Sequence, residues 1–241
     1  MCLAVHYRLR VINDHKSLLS KMTKQAEFAT LIEALAAEDL PHLKGMGRRE
    51  RKAAETRLKL FRSALQLFAE RGFQNVTVED ITEAADFGKG TFFNYFKSKD
   101  QVLSVMAEIQ LGKVREALEL AEAGKRSIRS VLHDMFLSLA EEPGRSPELA
   151  RALLTAFLSS AIREQLAENM AEGRRMLGRV LELGQERGEI DSKLKREQMA
   201  FQLQQSFIGT MMLWSLRGES KLETAVEASF QYFWRAIAIG D

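Results

Sequence analysis

The sequence predicts an all-α protein. Three observations carry this. Only three prolines and 15 glycines occur in 241 residues, too few turn formers for the frequent reversals of a β sandwich or barrel. The composition is 46% hydrophobic and 28% charged, enough for a packed core with a solvated surface. Apolar residues also recur at three and four positions through most of the chain, which is the period of a helix with one buried side.

Residues 1–45 stand apart. Phe28, Leu31, Ile32 and Leu35 predict a short amphipathic helix over Thr23–Asp39, closed by Pro41 and Gly45. This stretch reads as a loosely packed extension, as sequence ahead of a true start at Met46, or as a functional arm. No compact apolar region with a cleavage site marks a signal peptide, and no run of about 18 apolar residues predicts a membrane span.

A helix is predicted from about Arg49 to Arg71, with Leu58, Phe61, Leu65 and Phe68 as its apolar stripe and Gly72 as its stop. Phe73 is expected to pack back. Thr77-Val78-Glu79-Asp80 has the form of a capping box and opens a short helix to Ala85. Asp86-Phe87-Gly88 makes a tight turn, and Lys89–Phe96 forms a two-turn helix. Two short helices joined by a three-residue turn are a helix-turn-helix.

Longer helices follow over Asp100–Ala123 and Ser127–Glu141. Pro143-Gly144 breaks the chain, and Pro147 suits a first helical turn. Helical periodicity runs from Glu148 to Gln185, with Gly173 as a candidate joint. After a turn at Gly188–Asp191, the last two helices cover Lys195–Leu216 and Lys221–Ile239.

Charge is unevenly spread although the net value is only +2. Arg48, Arg49, Arg51, Lys52, Arg57, Lys59 and Arg62 precede the helix-turn-helix, against only Glu50 and Glu55. A basic segment ahead of such a motif suits a polyanion. On the second short helix, Phe92 and Phe96 are four apart and should anchor in the core. That leaves Lys89, Gly90, Thr91, Phe93, Asn94 and Tyr95 for a DNA groove and its walls. Gly90 permits close backbone approach. Asn94 matches an adenine edge, and Lys89 suits guanine acceptors or phosphate. Thr91, Tyr95 and Lys99 suit phosphate oxygens, and the Thr77 cap aims helix-terminal N–H groups at phosphate.

The stretch Arg57–Val102 resembles the DNA-binding domain of the TetR family of bacterial transcriptional repressors. The matching residues are Ala64–Phe73, Thr77–Ile81, Gly90–Phe96 and Lys97–Lys99. The resemblance implies that Thr77, Thr91, Phe93, Tyr95 and Lys99 lie against the DNA backbone. Two positions depart from the family pattern: Asp86 stands where glycine is common, and Gly88 where a capping Ser or Thr is common. Asp tolerates the left-handed conformation and Gly is an acceptable N-cap, so the turn is expected to form. In this family the last two helices pair with those of a second subunit as a four-helix bundle.

Nothing in the remaining sequence reads as catalytic. The single cysteine, Cys2, excludes an internal disulfide framework and a cysteine metal cluster, and points to a reducing, cytoplasmic setting. His6, His15 and His42 fall in the first segment, and His133 has no His or Cys near it in sequence. No metal and no cofactor are expected.

Met and Phe are frequent in the body. Met106, Phe136, Leu139, Phe157, Met176, Phe207, Met211 and Trp214 read as core or as the walls of an apolar ligand pocket. Gln202, Gln205 and Arg163 are equal candidates for orienting such a ligand. Phe201, Ile208 and Met212, with Val226, Phe230, Phe233 and Trp234, spread apolar surface too widely for one buried face and predict a dimer interface.

The functional expectation is an intracellular bacterial regulator built as an extension (1–45), a DNA-binding domain (46–99) and a ligand-binding and dimerisation domain (100–241). Its expected partners are a double-stranded, palindromic DNA operator, a second copy of itself and a small apolar or amphipathic inducer, with no membrane. The inducer would swing the helix after the motif and spoil the half-site spacing. A ligand-independent helical DNA-binding protein or activator, and a helical enzyme or binding module without DNA affinity, remain open alternatives.

Overall fold

The computed structural model describes residues 48–155, 157, 159, 161–218 and 220–239. The helix expected over Thr23–Asp39, and the choice between extension and early start, lie outside the described residues. The chain divides into two compact units, Met1–Ala54 and Glu55–Asp241. Of the first unit only residues 48–54 are described. They are helical, and Arg48, Arg49, Arg51 and Lys52 are exposed there.

The described residues form helices α1 (Arg48–Arg71), α2 (Val78–Ala84), α3 (Lys89–Tyr95), α4 (Asp100–Glu122), α5 (Ile128–Ala140), α6 (Pro147–Thr155), α7 (Arg163–Glu186), α8 (Arg196–Arg217) and α9 (Leu222–Ile237). Short 3₁₀ turns stand at Phe73–Asn75 and Pro143–Arg145. Among the described residues the one strand-like feature is an isolated antiparallel bridge between Ile190 and Ala238. None of these helices is long and apolar enough to cross a membrane.

The head is built on the expected stripe. Leu58, Phe61, Leu65 and Phe68 are buried, as are Phe92 and Phe96 at α3. Phe73 turns back edge-on to Phe68, ring centres 5.0 Å apart. Gly72 takes a positive φ of 76°, which lets the chain leave α1 sharply. The body packs α4 against α5 and α7, α7 against α8, and α9 against α5 and α8. One continuous core runs through it, including Leu132, Phe136, Val180, Leu203, Val226 and Phe230.

Helix ends otherwise fall within one residue of those the sequence predicts, but three features differ by more. The helix expected from Glu148 to Gln185 is two helices, α6 and α7. The Ser159 hydroxyl between them donates to Asp100 Oδ1 at 2.9 Å, which ties the break to the start of α4. Gly173 is no joint but lies buried inside α7, where an added Cβ would sit 3.4 Å from Leu111 Cδ1. It lets α4 and α7 approach. The last helix stops at Ile237 because residues beyond it extend alongside the α7–α8 turn. There Asp191 N–H bonds Ile237 O at 2.9 Å, and Ile239 N–H bonds Glu189 O at 3.2 Å.

Candidate nucleic-acid interface and ligand cavity

The helix-turn-helix is set by its caps. Thr77 Oγ1 accepts from Asp80 N–H at 3.1 Å, and Thr77 N–H donates to Asp80 Oδ2 at 2.7 Å, completing the capping box. The Thr77 hydroxyl bond holds the Asp80 carboxyl below its usual range, aided by Arg71. Asp86 adopts φ 57°, the left-handed conformation expected of it in place of glycine. Gly88 caps α3 through its backbone alone, accepting from Thr91 N–H at 2.8 Å.

α3 is sided as expected. Phe92 and Phe96 have no exposed surface and their rings lie 5.3 Å apart. Lys89, Gly90, Phe93 and Asn94 are exposed, while Thr91 and Tyr95 are half-buried. Phe93 packs edge-on to Phe92 and leaves 49% of its surface open. Nothing lies within 4 Å of a Cβ placed on Gly90, so its backbone is open to a close partner.

Several cations expected at DNA are engaged within the protein. Lys99, expected on phosphate, instead donates from Nζ to Phe73 O at 2.7 Å and Val76 O at 2.9 Å, and lies 4.3 Å from the Phe73 ring centre. It ties the start of α4 to the chain entering α2. Lys89 pairs with Glu79 of α2, and that hydrogen bond holds the Glu79 carboxyl below its usual range. Arg57 stacks on Phe96 at 5.6 Å, and burial lowers its guanidinium to about 10, opposed by Glu108; it stays charged at neutral pH. Lys59 covers Phe87 at 5.2 Å. Arg48 and Arg49 belong to the first unit, and both are exposed.

In the body, α4 to α8 line a partly open cavity of about 160 Å³. α4 contributes Leu103, Met106, Ala107, Gln110, Leu111 and Val114, so the helix that follows the helix-turn-helix forms one wall. Of the expected pocket residues, Met106, Phe136, Leu139, Phe157, Phe207 and Met211 line it. Met176 and Trp214 do not. Met176 packs against the core, and the Trp214 indole N–H is bound to Ser220 O at 2.6 Å. The polar liners are Gln110, Asn169 and Gln204. Gln202, Gln205 and Arg163 are exposed instead. Helix-borne amides are equivalent in sequence; only the rotation of α4, α7 and α8 separates them.

Lys113, which no sequence pattern singles out, is 9% exposed and grips the end of α5. Its Nζ reaches Ser138 O at 2.5 Å, Glu142 at 2.7 Å and Glu141 at 3.4 Å. Ser138 O lies in the last turn of α5, where it also accepts the capping Glu141 N–H at 3.3 Å. Among the described residues no group of His, Cys, Asp and Glu could hold a metal ion.

The expected interface needs correction. Val226, Phe230 and Trp234 are buried within the subunit, packed on α5 and α8, and Ile208 lines the cavity. Phe233 is half-buried against the same core. Their wide apolar arc is satisfied internally. Phe201 and Met212 are exposed, as is Leu216, which the apolar run of α8 already marks, and the structure adds Leu213 on α8 and Tyr232 on α9; Leu213, Leu216 and Tyr232 are each at least 67% exposed. Met212, Leu213 and Leu216 follow Gly209 at helical spacing, so they share one outer face.

This arrangement of a capped, sided helix-turn-helix leading into a hollow helical body matches two family models. Residues 60–106 match the bacterial regulatory proteins of the tetR family, and residues 136–230 match the tetracyclin repressor-like C-terminal domain. The chain belongs to the TetR family of transcriptional regulators. Such regulators bind DNA and are not enzymes. The regulator TcmR of Streptomyces glaucescens is 38% identical over 91 residues, 36% of this chain and 38% of its own length. The regulator UidR of Escherichia coli is 24% identical over 53% of this chain and 70% of its own. Among solved structures, the repressor FadR of Thermus thermophilus, in complex with lauroyl-CoA, has a TM-score of 0.56 at 25% identity, covering 77% of this chain and 96% of FadR. SmeT, the repressor of a Stenotrophomonas maltophilia efflux pump, shares the fold at 17% identity and a TM-score of 0.61, over 76% and 90% of the two chains.

Proposed function

We propose that this TetR-family chain is a cytoplasmic repressor that binds a palindromic operator as a homodimer and is released by a small apolar or amphipathic inducer. Residues 46–99 act as the DNA-binding domain and residues 100–241 as the ligand-binding and dimerisation domain. The observation that carries the reading is α4. It begins at Asp100, directly after the motif, and supplies six liners of the cavity. An inducer that binds better when α4 is displaced therefore shifts the head, and only that difference in affinity moves the equilibrium. A repressor of similar fold, FadR of Thermus thermophilus, is solved in complex with lauroyl-CoA, which supports a small-molecule ligand for this chain.

At DNA, Asn94 reads a base edge, while Thr77, Thr91 and Tyr95 place the head on phosphates. Phe93 meets sugar or a thymine methyl. Lys89 exchanges Glu79 for phosphate or guanine. The second copy docks on the outer face of α8 and α9, bringing a second α3 to the other half-site.

The test is selection of duplexes from a random pool, followed by anisotropy titration and sedimentation. A selected palindrome bound by two chains at least about 10³-fold more tightly than a scrambled duplex supports the reading. Equal affinity for both duplexes, or tight binding by one chain, overturns it.

A further inference from the structure

The cavity is apolar except for three amides, and their hydrogen bonds differ. Gln204 is satisfied at both ends: its Nε2 donates to Met170 O at 3.0 Å and its Oε1 accepts from Arg174 at 3.2 Å. Asn169 Oδ1 accepts from Gln165 at 3.0 Å, which leaves Nδ2 as a buried donor with no partner. Gln110 Nε2 donates to Glu142 at 3.4 Å, which leaves Oε1 as a buried acceptor with no partner. Asn169 is only 8% exposed. Among the described residues no charged side chain lines the cavity.

Buried amide groups without partners are costly, and those that line a cavity can be satisfied by a ligand that supplies the missing bonds. A charged ligand would lose its hydration here with no countercharge to replace it. A hydroxyl both donates and accepts, so it suits the donor of Asn169 and the acceptor of Gln110 alike. We infer that this cavity selects neutral, largely apolar ligands bearing a hydroxyl, such as phenols and alcohols, through Asn169 Nδ2 and Gln110 Oε1. The inference rests on the reading of the cavity as the effector site. Apolar cavities near this size hold a benzene-sized ring, which sets the scale of the probes.

The test uses the full chain at pH 7.5 with toluene, p-cresol and p-toluate, followed by calorimetry and thermal shift. p-Cresol should bind at least about tenfold more tightly than toluene, and the p-toluate anion most weakly. Asn169→Leu and Gln110→Leu should each reduce the preference of p-cresol over toluene, and toluene binding by each variant reports that its cavity is intact. Toluene or p-toluate binding as well as p-cresol in the unaltered chain overturns the inference but keeps the effector site. A p-cresol preference that survives in both variants overturns the assignment to these two residues. Binding of none of the three probes overturns the effector-site reading itself.

Discussion

At the scale of single residues, partners decide role. Lys99 and Lys89 look alike in sequence, yet one ammonium is anchored on two carbonyls and the other on an exposed carboxylate. Lys99→Ala should therefore cost about 2 kcal/mol in urea unfolding, the scale of charged hydrogen bonds, and leave the salt slope of DNA binding unchanged. A slope that falls by about one instead would restore Lys99 to the phosphate contacts. Glu79→Gln should release Lys89, tighten binding to random duplex and steepen its salt slope; an unaltered slope would mean that Lys89 stays off DNA. His133 offers a different readout. Burial presses its pKa down, but hydrogen bonds to Asp134 at 3.1 Å and Glu227 at 2.5 Å outweigh this and raise it above the ordinary value. A raised folded-state pKa adds stability fully below the unfolded pKa of about 6.5, and this is lost as pH rises through the folded value. The melting temperature of His133→Gln should fall below that of the parent at pH 5.5 and approach it at pH 9. An equal deficit at both values would assign the effect to packing against Phe230, 5.4 Å away.

At the scale of helices, the same apolar periodicity serves two ends. Phe230 is fully buried between Phe136 and Trp234, with ring centres at 5.6 and 6.3 Å. Phe230→Glu should cost about 4 kcal/mol or more and unfold the body rather than separate subunits. Leu213→Glu, on the outer face of α8, should leave a folded chain that sediments as a monomer and binds the operator weakly. A folded monomer from the first variant, or a dimer from the second, would move the interface. Gly218 ends α8 at φ 64°, and an added Cβ would lie 2.9 Å from Pro147 Cγ. Gly218→Ala should thus destabilise the joint of α6 and α8 by about 1–2 kcal/mol in urea unfolding.

At the scale of the whole molecule, α4 links the helix-turn-helix to the cavity. It is tied to the head through Lys99 and to the end of α5 through Lys113, and its middle lines the cavity. Linkage then requires reciprocity: if p-cresol weakens operator affinity by some factor, saturating operator must weaken p-cresol affinity by the same factor. Calorimetry with and without operator measures both. A factor of one in both directions would show that the cavity and the operator site are not coupled.

Local chemistry wrote the head legibly. Capping at Thr77, the left-handed turn at Asp86, and the burial of Phe92 and Phe96 depend on neighbours within a few positions, and each is readable from the chain. The succession of helices and the Met- and Phe-rich lining are readable for the same reason, because helical period is local. What stays hidden depends on contacts far apart in sequence. Lys99 meets carbonyls 23 and 26 positions away. Asn169 and Gln110 differ from Gln202 and Gln205 only through the rotation of their helices in the packed body. Phe230 and Leu213 are both apolar helical residues, and only the placement of α5 against α9 covers one and leaves the other exposed. Short-range pattern is enough to set which segments are helical and where the helix-turn-helix lies. Which side of each helix faces core, cavity or solvent was left to packing, because that choice depends on neighbours no local pattern names.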